Sequence, residues 1–516
     1  MEIISLSVIL FTVLLTLLYL YIKKCQSYWK DNNVVHLEPE FLFGNFKRVL
    51  NKEILMIDVN EEIYNKVKDQ GKTFGGIYSF LSPIFIPVDL DLIKNILQTD
   101  FSYFINHGAY INEKKEPLTV NIFNLEDTKW KNLRAKLSPT FTTGKMKMMF
   151  PTLDACSKEL EILLKETAEN VKNGIDIKDI IGRYSTDTIS SVGFGLEAHS
   201  MKNPQSDFRK YGKMFFDSTL FENRVWFAFT FLPRWFTTRL NLRTMPKAME
   251  TFYMNLVRDT VAYREKHNIY RKDMLHLLIQ LKNLGEIGDD DDKRLLGENM
   301  NNAPGLTMNE LTAQVFLFMV AGFETASATS TYALLELAQR QDIQDKLREE
   351  IIEVLKKHDN KLSYEAISEM EYLEKTVLET GRKRPPVPFL IRICGKDYRV
   401  PNTNFVLKAG TKVNIPLLQI QNDPKYYPDP DNFDPERFSA ENKAKRHPMT
   451  YLPFGEGPRN CIGLRFGKLQ AKIALCTILR NYRVTLNEKT QMPIKYEMIF
   501  STSVKGGVWI NLEPLS

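Results

Sequence analysis

The sequence predicts one large, mainly α-helical domain with small β-sheets, an α+β chain preceded by a transmembrane helix. Three observations predict this. Residues 3–22 form an uncharged apolar run, most later segments carry apolar residues at helical spacing, and no long linker rich in glycine, serine or proline divides the remainder. A length of 516 residues would by itself suggest several domains, so the missing linker is what favours a single one.

Composition excludes several classes of protein. With 43% hydrophobic and 26% charged residues, the chain is neither largely disordered nor collagen-like. A net charge of +6 is too weak to indicate a nucleic-acid-binding protein, and we expect no nucleic-acid partner. Five cysteines without a CxxC pair argue against a disulfide-stabilised secreted protein.

The N-terminal apolar run has the length of a membrane span. Twenty residues of helix reach ~30 Å, the thickness of a hydrocarbon core. Lys23 and Lys24 follow at once, which places the remainder of the chain on the cytoplasmic side. A cleaved signal peptide would carry positive charge before the run, where Glu2 stands. We therefore expect an uncleaved anchor over residues 1–24, a linker over 25–45 and a globular domain over 46–516.

The helices and strands of the domain are predicted from the spacing of apolar residues and from the residues that cap or end each element. Thr307 and Glu310 form a capping box that opens a helix to about residue 340. Apolar spacing predicts the other helices at residues 153–171, 180–192, 364–374, 373–383 and 464–479. Short β-type runs predict strands at residues 77–78, 84–88, 389–393, 405–407, 412–415 and 508–512. The aspartate run at 289–292 is typical of a solvated acidic loop.

The strongest chemical signal is the loop FGEGPRNCIG at residues 454–463. Its chemistry-bearing residues are Phe454, Gly455, Arg459, Cys461 and Gly463. Glycines let the backbone approach a large flat ligand, and a guanidinium offers a fork to a carboxylate. The positive end of the following helix is expected to lower the pKa of the Cys461 thiol. The alternative is a buried cysteine in a turn, which the ten positions in this order disfavour.

This loop resembles the haem-binding signature FxxGxRxCxG of the cytochrome P-450 family. The resemblance implies the cytochrome P-450 fold, haem b as cofactor and Cys461 as the axial ligand of its iron, the thiolate ligation established for that family. Phe454, Gly455, Arg459 and Gly463 would then bind haem. Residues 130–147 and 429–438 are similar to those of insect microsomal, xenobiotic-metabolising members.

Two further motifs match the same family. Glu379 and Arg382 resemble its ExxR helix and imply, with Arg437, a buried charge network that is structural rather than catalytic. Glu324 and Thr325 lie in AGFET, which resembles the family's oxygen-activating helix motif and implies a proton relay. The chain departs from the usual pattern at three positions, namely Gly381, Arg384 and Gln421.

Other positions are assigned through the resemblance alone. Trp130, Arg134 and Arg392 would contact the haem propionates. The aromatic segment at residues 226–236 would dip into the membrane interface, with a buried core segment as the alternative. Basic residues near the haem-side segments would form a docking face for an electron donor; they are Lys129, Lys131, Lys136, Lys145, Lys443, Lys445, Arg446 and Lys468.

The sequence therefore predicts a haem-thiolate monooxygenase of the endoplasmic reticulum, or microsome, membrane that inserts one atom of O2 into lipophilic substrates. Xenobiotics such as plant toxins or insecticides and endogenous lipids or hormones all remain open as substrates. NADPH would supply electrons through NADPH–cytochrome P-450 reductase, and cytochrome b5 is a second candidate donor. One alternative is a haem-thiolate isomerase or dehydratase that needs neither O2 nor reductase. Another is an inactive binding protein, which only Gly381 and Arg384 support.

Overall fold

The computed structural model of the chain describes residues 2–170, 173–217, 219–232, 234–288, 304–498 and 501–515, so the acidic run at 289–292 lies outside the described residues. In its first half the helices are α1 Glu2–Gln26, α2 Tyr28–Asp31, α3 Lys47–Leu50, α4 Met56–Asp69, α5 Leu90–Lys94, α6 Asp127–Leu137, α7 Thr143–Asn170, α8 Ile177–Ile189, α9 Asp207–Met214, α10 Phe221–Phe231, α11 Arg234–Leu240 and α12 Lys247–His267. In the second half they are α13 Met274–Asn283, α14 Met308–Gln339, α15 Gln341–Lys357, α16 Tyr364–Glu369, α17 Glu371–Lys383, α18 Leu417–Gln421, α19 Ala440–Ala444 and α20 Leu464–Leu479.

The strands form small sheets at the margins of the helices. They are β1 Phe74–Ser79, β2 Ser82–Pro87, β3 Ile175–Asp176, β4 Leu390–Ile393, β5 Tyr398–Arg399, β6 Val406–Leu407, β7 Lys412–Ile415, β8 Tyr482–Leu486, β9 Tyr496–Met498, β10 Thr502–Val504 and β11 Trp509–Pro514. The largest sheet has the order β1-β2-β7-β4, in which only β2 and β7 run parallel. A second sheet has the order β3-β11-β8, and the pairs β9-β10 and β5-β6 are separate. The predicted mainly α fold with small sheets is thus confirmed.

Helix α14 forms the axis of the larger hydrophobic core. Thr307 caps it by accepting the Glu310 N–H, and the Glu310 carboxylate accepts the Thr307 N–H at 2.8 Å, which is the predicted capping box. Helices α8, α12, α17 and α20 pack around it. A smaller core joins the sheet of β1, β2, β7 and β4 to helices α4 and α18.

Helices α1 and α14 are both apolar and long enough to span a membrane, and their burial distinguishes them. In α14, 72% of the most apolar window is buried, whereas in α1 the figure is 6%. The predicted membrane-spanning candidate is therefore α1, while α14 is a core helix. The segment predicted as a linker packs against the body, because Trp29 is fully buried and its indole N–H donates to the Ile77 carbonyl at 3.0 Å.

Several predicted boundaries differ from the structure. Helix α7 begins at Thr143 rather than at residue 153, since Pro151 lies inside the helix instead of ahead of it. Helices α16 and α17 meet at Met370 rather than near residue 373. Segment 226–236 is helical for most of its length, with Phe229 buried and Phe236 exposed; its contact with a membrane stays a prediction.

Candidate active site

The loop around Cys461 is held in a shape that glycines make possible. The Cys461 N–H donates to the Phe454 carbonyl at 2.8 Å and closes the loop. Gly455 and Gly457 adopt positive φ values of 66° and 73°, in the left-handed region that favours glycine. A Cβ on Gly457 would lie 1.8 Å from the Leu97 carbonyl oxygen, so only glycine fits there. Helix α20 begins three residues after Cys461, at Leu464, as predicted.

The electrostatics of the Cys461 thiol differ from the prediction. The residue is exposed, yet the protein atoms packed around its sulfur desolvate the thiolate and raise the pKa of the Cys461 thiol above its usual range. The Gly463 N–H and the Arg134 guanidinium act in the opposite direction without overcoming this burial. The helix end therefore does not by itself make a free thiolate, and a cation at the sulfur is needed to hold the deprotonated form.

The middle of α14 lies beside this loop. The ring of Phe466, in the first turn of α20, lies 4.0 Å from where a Cβ on Gly322 would stand, and Ile189 lies 2.9 Å from that point. Gly322 thus allows close packing of α14 on α8 and α20. The Phe141 ring meets Phe318 of α14 at a centroid distance of 5.3 Å and lies 3.8 Å from a Cβ built on Gly463. Segment 321–325 and the Cys461 loop are therefore neighbours, as the motifs predicted.

A cluster of buried cations lies next to the same loop. The Arg459 guanidinium stacks on the Trp130 ring at 4.2 Å and donates to the carbonyls of Ile105 and Leu125 at 2.8 and 2.6 Å. Burial, with nearby Arg392 adding to it, lowers the pKa of Arg459 to about 9. Burial also lowers the pKa of Arg392 to about 10. These shifts reflect cations held without a counter-charge.

The donor set fits a ligand that carries carboxylates. Arg392 is 2% exposed, and its Nε–H has no hydrogen-bond partner among the described residues. The recorded partners of these two guanidiniums are carbonyl oxygens rather than carboxylates: Ile391 for Arg392, and Ile105, Ile122 and Leu125 for Arg459. Because a buried guanidinium without a counter-charge is costly, Arg392, with its unpartnered Nε–H, fits a haem propionate near the Cys461 loop, whereas Arg459 lacks a carboxylate but already donates to backbone carbonyls. The residues present therefore match the cofactor that the sequence resemblance implies.

Sequence reasoning missed one residue of this cluster. His107 lies in the segment between α5 and α6, where its Nδ1–H donates to the Phe123 carbonyl at 2.9 Å. Burial, then Arg392 and Arg459, lower the pKa of His107 well below its usual range, so the ring is neutral at pH 7. The guanidinium of Arg134 donates to the backbone carbonyl and to the side-chain oxygen of Asn460, each at 2.9 Å. A lone histidine in an irregular loop carried no spacing signal.

The acidic side of the α14 motif opens on a polar cavity. The Glu324 carboxylate is mostly buried and lies 3.4 Å from the Lys178 ammonium. Both residues line a cavity of about 420 Å3, whose wall also includes Arg209, Lys213 and Glu497. The Thr325 hydroxyl donates to the Ala321 carbonyl at 2.6 Å, one turn earlier in the helix. Glu324 therefore lies at the wall of a charged cavity large enough for several water molecules, in the segment next to the Cys461 loop.

The comparisons with known proteins agree with this geometry. The family model described as Cytochrome P450 matches residues 44–509. Cytochrome P450 6a2 of Drosophila melanogaster is 42% identical over 502 residues, which cover 96% of this chain and 97% of that protein. Cytochrome P450 6A1 of Musca domestica is 39% identical over 509 residues, covering 98% and 97%. The chain belongs to the cytochrome P450 family. It is thus a haem-thiolate monooxygenase by class, with haem as cofactor and O2 as co-substrate, and its resemblance to insect members is confirmed.

The ExxR residues of this P450 form the buried network that the sequence predicted. Glu379 and Arg382 are both fully buried, and the Arg382 Nε–H donates to the Glu379 carboxylate at 2.8 Å. The Arg437 Nε lies 3.5 Å from the same carboxylate. The remaining Arg382 donors reach the carbonyls of Gln421 and Pro430 at 3.1 and 2.7 Å. The network therefore links α17 to the segment that leads into the Cys461 loop.

The three departures from the usual P450 pattern each have a contact that accommodates them. A Cβ on Gly381 would lie 3.0 Å from the Tyr451 hydroxyl, so a side chain there would crowd that ring. The Arg384 guanidinium donates to Glu336 of α14 at 2.5 Å and to the Tyr496 hydroxyl at 2.8 Å. The Gln421 amide donates to the Gly381 carbonyl at 2.9 Å, and its oxygen accepts the Leu452 N–H at 2.8 Å.

The basic residues predicted to form a docking face differ in burial and in their partners. Lys468 pairs with Glu374 at 2.5 Å. Lys145 is buried and donates to the Gly288 carbonyl at 2.9 Å. The other cations with internal partners are Lys136 on the Pro304 carbonyl, Lys445 on Glu441 and Arg446 on the Arg437 carbonyl. The exposed cations of the predicted set that have no ion pair among the described residues are Lys129, Lys131 and Lys443.

Proposed function

We propose that this P450 inserts one atom of O2 into lipophilic substrates while Cys461 holds the haem iron, with electrons delivered from NADPH through NADPH–cytochrome P450 reductase. The observation that carries the proposal is the pair of buried guanidiniums, Arg392 and Arg459, beside the exposed Cys461 thiol. Arg392 has an unpartnered Nε–H and Arg459 has no carboxylate partner among the described residues, so these cations and the Cys461 thiol support a ligand that brings carboxylates and a metal ion.

The haem-holding roles follow from the contacts of each residue. When bound, haem supplies an iron that activates O2, and a thiolate ligand favours O–O cleavage. Cys461 would hold the iron, with the Gly463 N–H directed at its sulfur. Arg392 and Arg459 would hold the propionates, and Trp130 would keep the Arg459 fork in place. Arg134 would act one step away, through Asn460, while Phe454, Gly455 and Gly463 would shape the loop.

Glu324 and Thr325 would deliver protons. Releasing the second atom of O2 as water consumes two protons, which must come from solvent. The cavity of about 420 Å3 next to Glu324 supports a water-filled route to its carboxylate. Glu324 would exchange its contact with Lys178 for one directed along α14, and the Thr325 hydroxyl, which now donates to the Ala321 carbonyl at 2.6 Å, would hold the proton next.

Membrane attachment would bring this P450 to its substrates. We propose that residues 1–24 anchor it in the endoplasmic reticulum, or microsome, membrane, with residues 25–45 connecting to a catalytic domain of residues 46–516 on the cytoplasmic face. The exposed apolar α1 and the charges of Lys23 and Lys24 support this topology. Protease added to intact microsomes should digest the domain; full protection would place it in the lumen.

The substrate class is proposed as lipophilic, with xenobiotics such as plant toxins or insecticides alongside endogenous lipids or hormones. The segments that the family resemblance assigns to the pocket are mainly apolar, which supports apolar ligands. Electrons would arrive at the side of α6, where Lys129 and Lys131 are exposed, from the reductase or from cytochrome b5.

The test of the proposal is Cys461→Ser. We expect loss of product formation and, in protein that retains haem, loss of the red-shifted Soret band of the reduced carbon monoxide complex, since serine supplies no thiolate. Cys156→Ser is the matched control, because Cys156 is buried in α7 away from the loop; it should keep the band. A folded Cys461→Ser protein that retains the band would show that the iron ligand lies elsewhere.

One alternative function remains distinguishable on this scaffold. A haem-thiolate isomerase or dehydratase would turn over without O2 or reductase. The placement of Glu324 at a polar cavity favours the monooxygenase, because an isomerase needs no protons from solvent to form water. NADPH consumption by the protein with purified reductase, linked to an oxygenated product, decides between the two.

A further inference from the structure

His107 lies in a loop that connects the two buried guanidiniums of the candidate active site. The Arg459 Nε–H donates to the carbonyl two residues before His107, at 2.8 Å. The N–H of Ile393, the residue after Arg392 in β4, donates to the carbonyl directly before His107, also at 2.8 Å. The loop is therefore held between the Cys461 loop and β4, and the imidazole is fixed close to both cations.

One carbonyl oxygen brings His107 and Arg459 together. The Phe123 carbonyl accepts the His107 Nδ1–H at 2.9 Å and the Arg459 Nη1–H at 3.4 Å. The rings of His107 and Phe123 also lie against each other, with a centroid distance of 4.4 Å. Because a carbonyl only accepts, Nδ1 carries the proton of the neutral ring. The second nitrogen, Nε2, then offers only a lone pair, and it has no hydrogen bond among the residues that the structure describes.

The charged side chains that act on His107 are the two guanidiniums. Arg392 of β4 and Arg459 of the Cys461 loop, together with burial, lower the pKa of His107 well below its usual range. The nearby carboxylates, Glu126 and Asp127 at the start of α6, act on the charge of Arg459 instead. A ligand that brings carboxylates reverses this balance, because a negative charge within about 4–6 Å favours the protonated imidazole.

We propose that His107 is a third member of the cluster of cations that holds the haem propionates, and that its imidazole takes up a proton from solvent when haem binds, which makes haem retention depend on pH. The inference rests on the proposed function in one respect, namely that propionates occupy the cluster. A protonated ring donates from both nitrogens, so it keeps its bond to Phe123 and gains a charge-assisted bond to a carboxylate through Nε2.

The direction of the pH dependence follows from proton linkage. Haem binding takes up one proton at pH values between the low pKa of His107 in the free chain and its higher pKa in the haem-bound protein. Haem is therefore held most tightly below the haem-bound pKa and is lost faster as the pH rises through it. The Cys461 thiol releases a proton when a metal binds, which acts in the opposite direction, but this release is common to wild type and to variants of His107.

The test compares His107→Arg and His107→Gln with wild type in the full-length haem protein. The rate of haem loss to an excess of apomyoglobin is followed by the Soret band across about pH 6–9. Arginine carries a permanent charge at this position, whereas glutamine carries none. His199→Gln is the matched control, because the His199 side chain is 61% exposed and lies 3.6 Å from Glu197; its rates should follow wild type.

We expect His107→Gln to lose haem about tenfold faster than His107→Arg, with the ratio of the two rates constant over the whole pH range. The wild-type rate should equal that of His107→Arg at the acidic end and that of His107→Gln at the alkaline end. This crossover is a signature that a merely structural role of the side chain does not produce, since a structural role changes the rates without dependence on the charge of His107.

Two results would overturn the inference and leave the proposed function standing. One is a constant ratio between the wild-type and His107→Gln rates at every pH, because a neutral ring would then hold the carboxylate by carrying its proton on Nε2. The other is equal rates of haem loss in wild type, His107→Arg and His107→Gln. A wild-type protein that binds no haem would overturn both the inference and the proposed function.

Discussion

Glu379→Gln is the substitution whose cost follows most directly from the contacts of one side chain. The fully buried carboxylate accepts the Nε–H and Nη2–H of Arg382 at 2.8 and 2.9 Å and the Asp434 N–H at 3.1 Å. Glutamine keeps one accepting oxygen but presents an NH2 group in place of the other. At least one Arg382 N–H then loses its acceptor, and the buried guanidinium loses its counter-charge.

The magnitude follows from which contacts survive. Removing one partner of a buried ion pair costs about 3–5 kcal/mol in free energy of unfolding. The carbonyls of Gln421 and Pro430 still accept from Arg382, and the Tyr427 ring still lies 5.2 Å from its guanidinium carbon. We therefore expect a cost near the lower limit, about 3 kcal/mol. Because a domain has only ~5–15 kcal/mol of net stability, the variant should fold but lose haem readily.

The measurement is the urea midpoint of unfolding, monitored both by tryptophan fluorescence and by the Soret band. The control is Glu353→Gln, whose partner Lys357 lies 2.8 Å away in a pair with 71% and 59% exposed side chains, and its midpoint should not change. Glu379→Gln protein that keeps haem should form as much product per haem as wild type. Equal midpoints for the two variants would refute the reasoning, and a preserved midpoint with lost turnover would assign Glu379 a catalytic role.

Two other perturbations test the relay and the electrostatics. Thr325→Ala should keep haem and substrate binding but oxidise NADPH with peroxide as product; an unchanged yield of product per NADPH would remove Thr325 from the mechanism. Burial lowers the pKa of Lys412 from 10.5 to about 8, so between these values the unfolded chain binds more protons and stability rises with pH. Lys412→Met should abolish that rise and should increase the free energy of unfolding at pH 7, measured by urea titration, by up to about 3 kcal/mol. A wild-type urea midpoint that does not change with pH would contradict this prediction.

The parts of the fold that sequence could predict are those with local signals. The capping box of Thr307 and Glu310 defined the start of α14, and the glycine-rich loop defined the start of α20 at Leu464. The start of α7 was missed, because a proline usually begins or ends a helix, whereas Pro151 is accommodated within α7. Strands of two or three residues, such as β3 and β5, carry too little alternation to be recognised.

For the site, motifs predicted which residues would meet but not how their charges would be satisfied. Lys468 pairs with Glu374 of a different helix, a contact that the sequence did not predict, while its part in a docking face stays a prediction. Arg134 was predicted to contact a propionate, which stays a prediction, and its contact with Asn460 was not foreseen. His107 lies in the cluster of buried cations beside the Cys461 loop, although no sequence motif contains it. Each of these outcomes depends on a contact between distant residues, which no local pattern encodes.

The three residues that depart from the family pattern, Gly381, Arg384 and Gln421, are likewise explained by contacts between distant residues, and these contacts bear on function. Gln421, fully buried, donates to the carbonyls of Gly381 and Arg382, each at 2.9 Å, while its oxygen accepts the Leu452 N–H at 2.8 Å. It therefore fastens α17 to the residues that lead into the Cys461 loop. Arg384 fastens the same helix to Glu336 of α14. Gly381 and Arg384 were the only support for an inactive binding protein; since both are matched by partners that join α17 to the two elements of the candidate active site, they give that alternative no support.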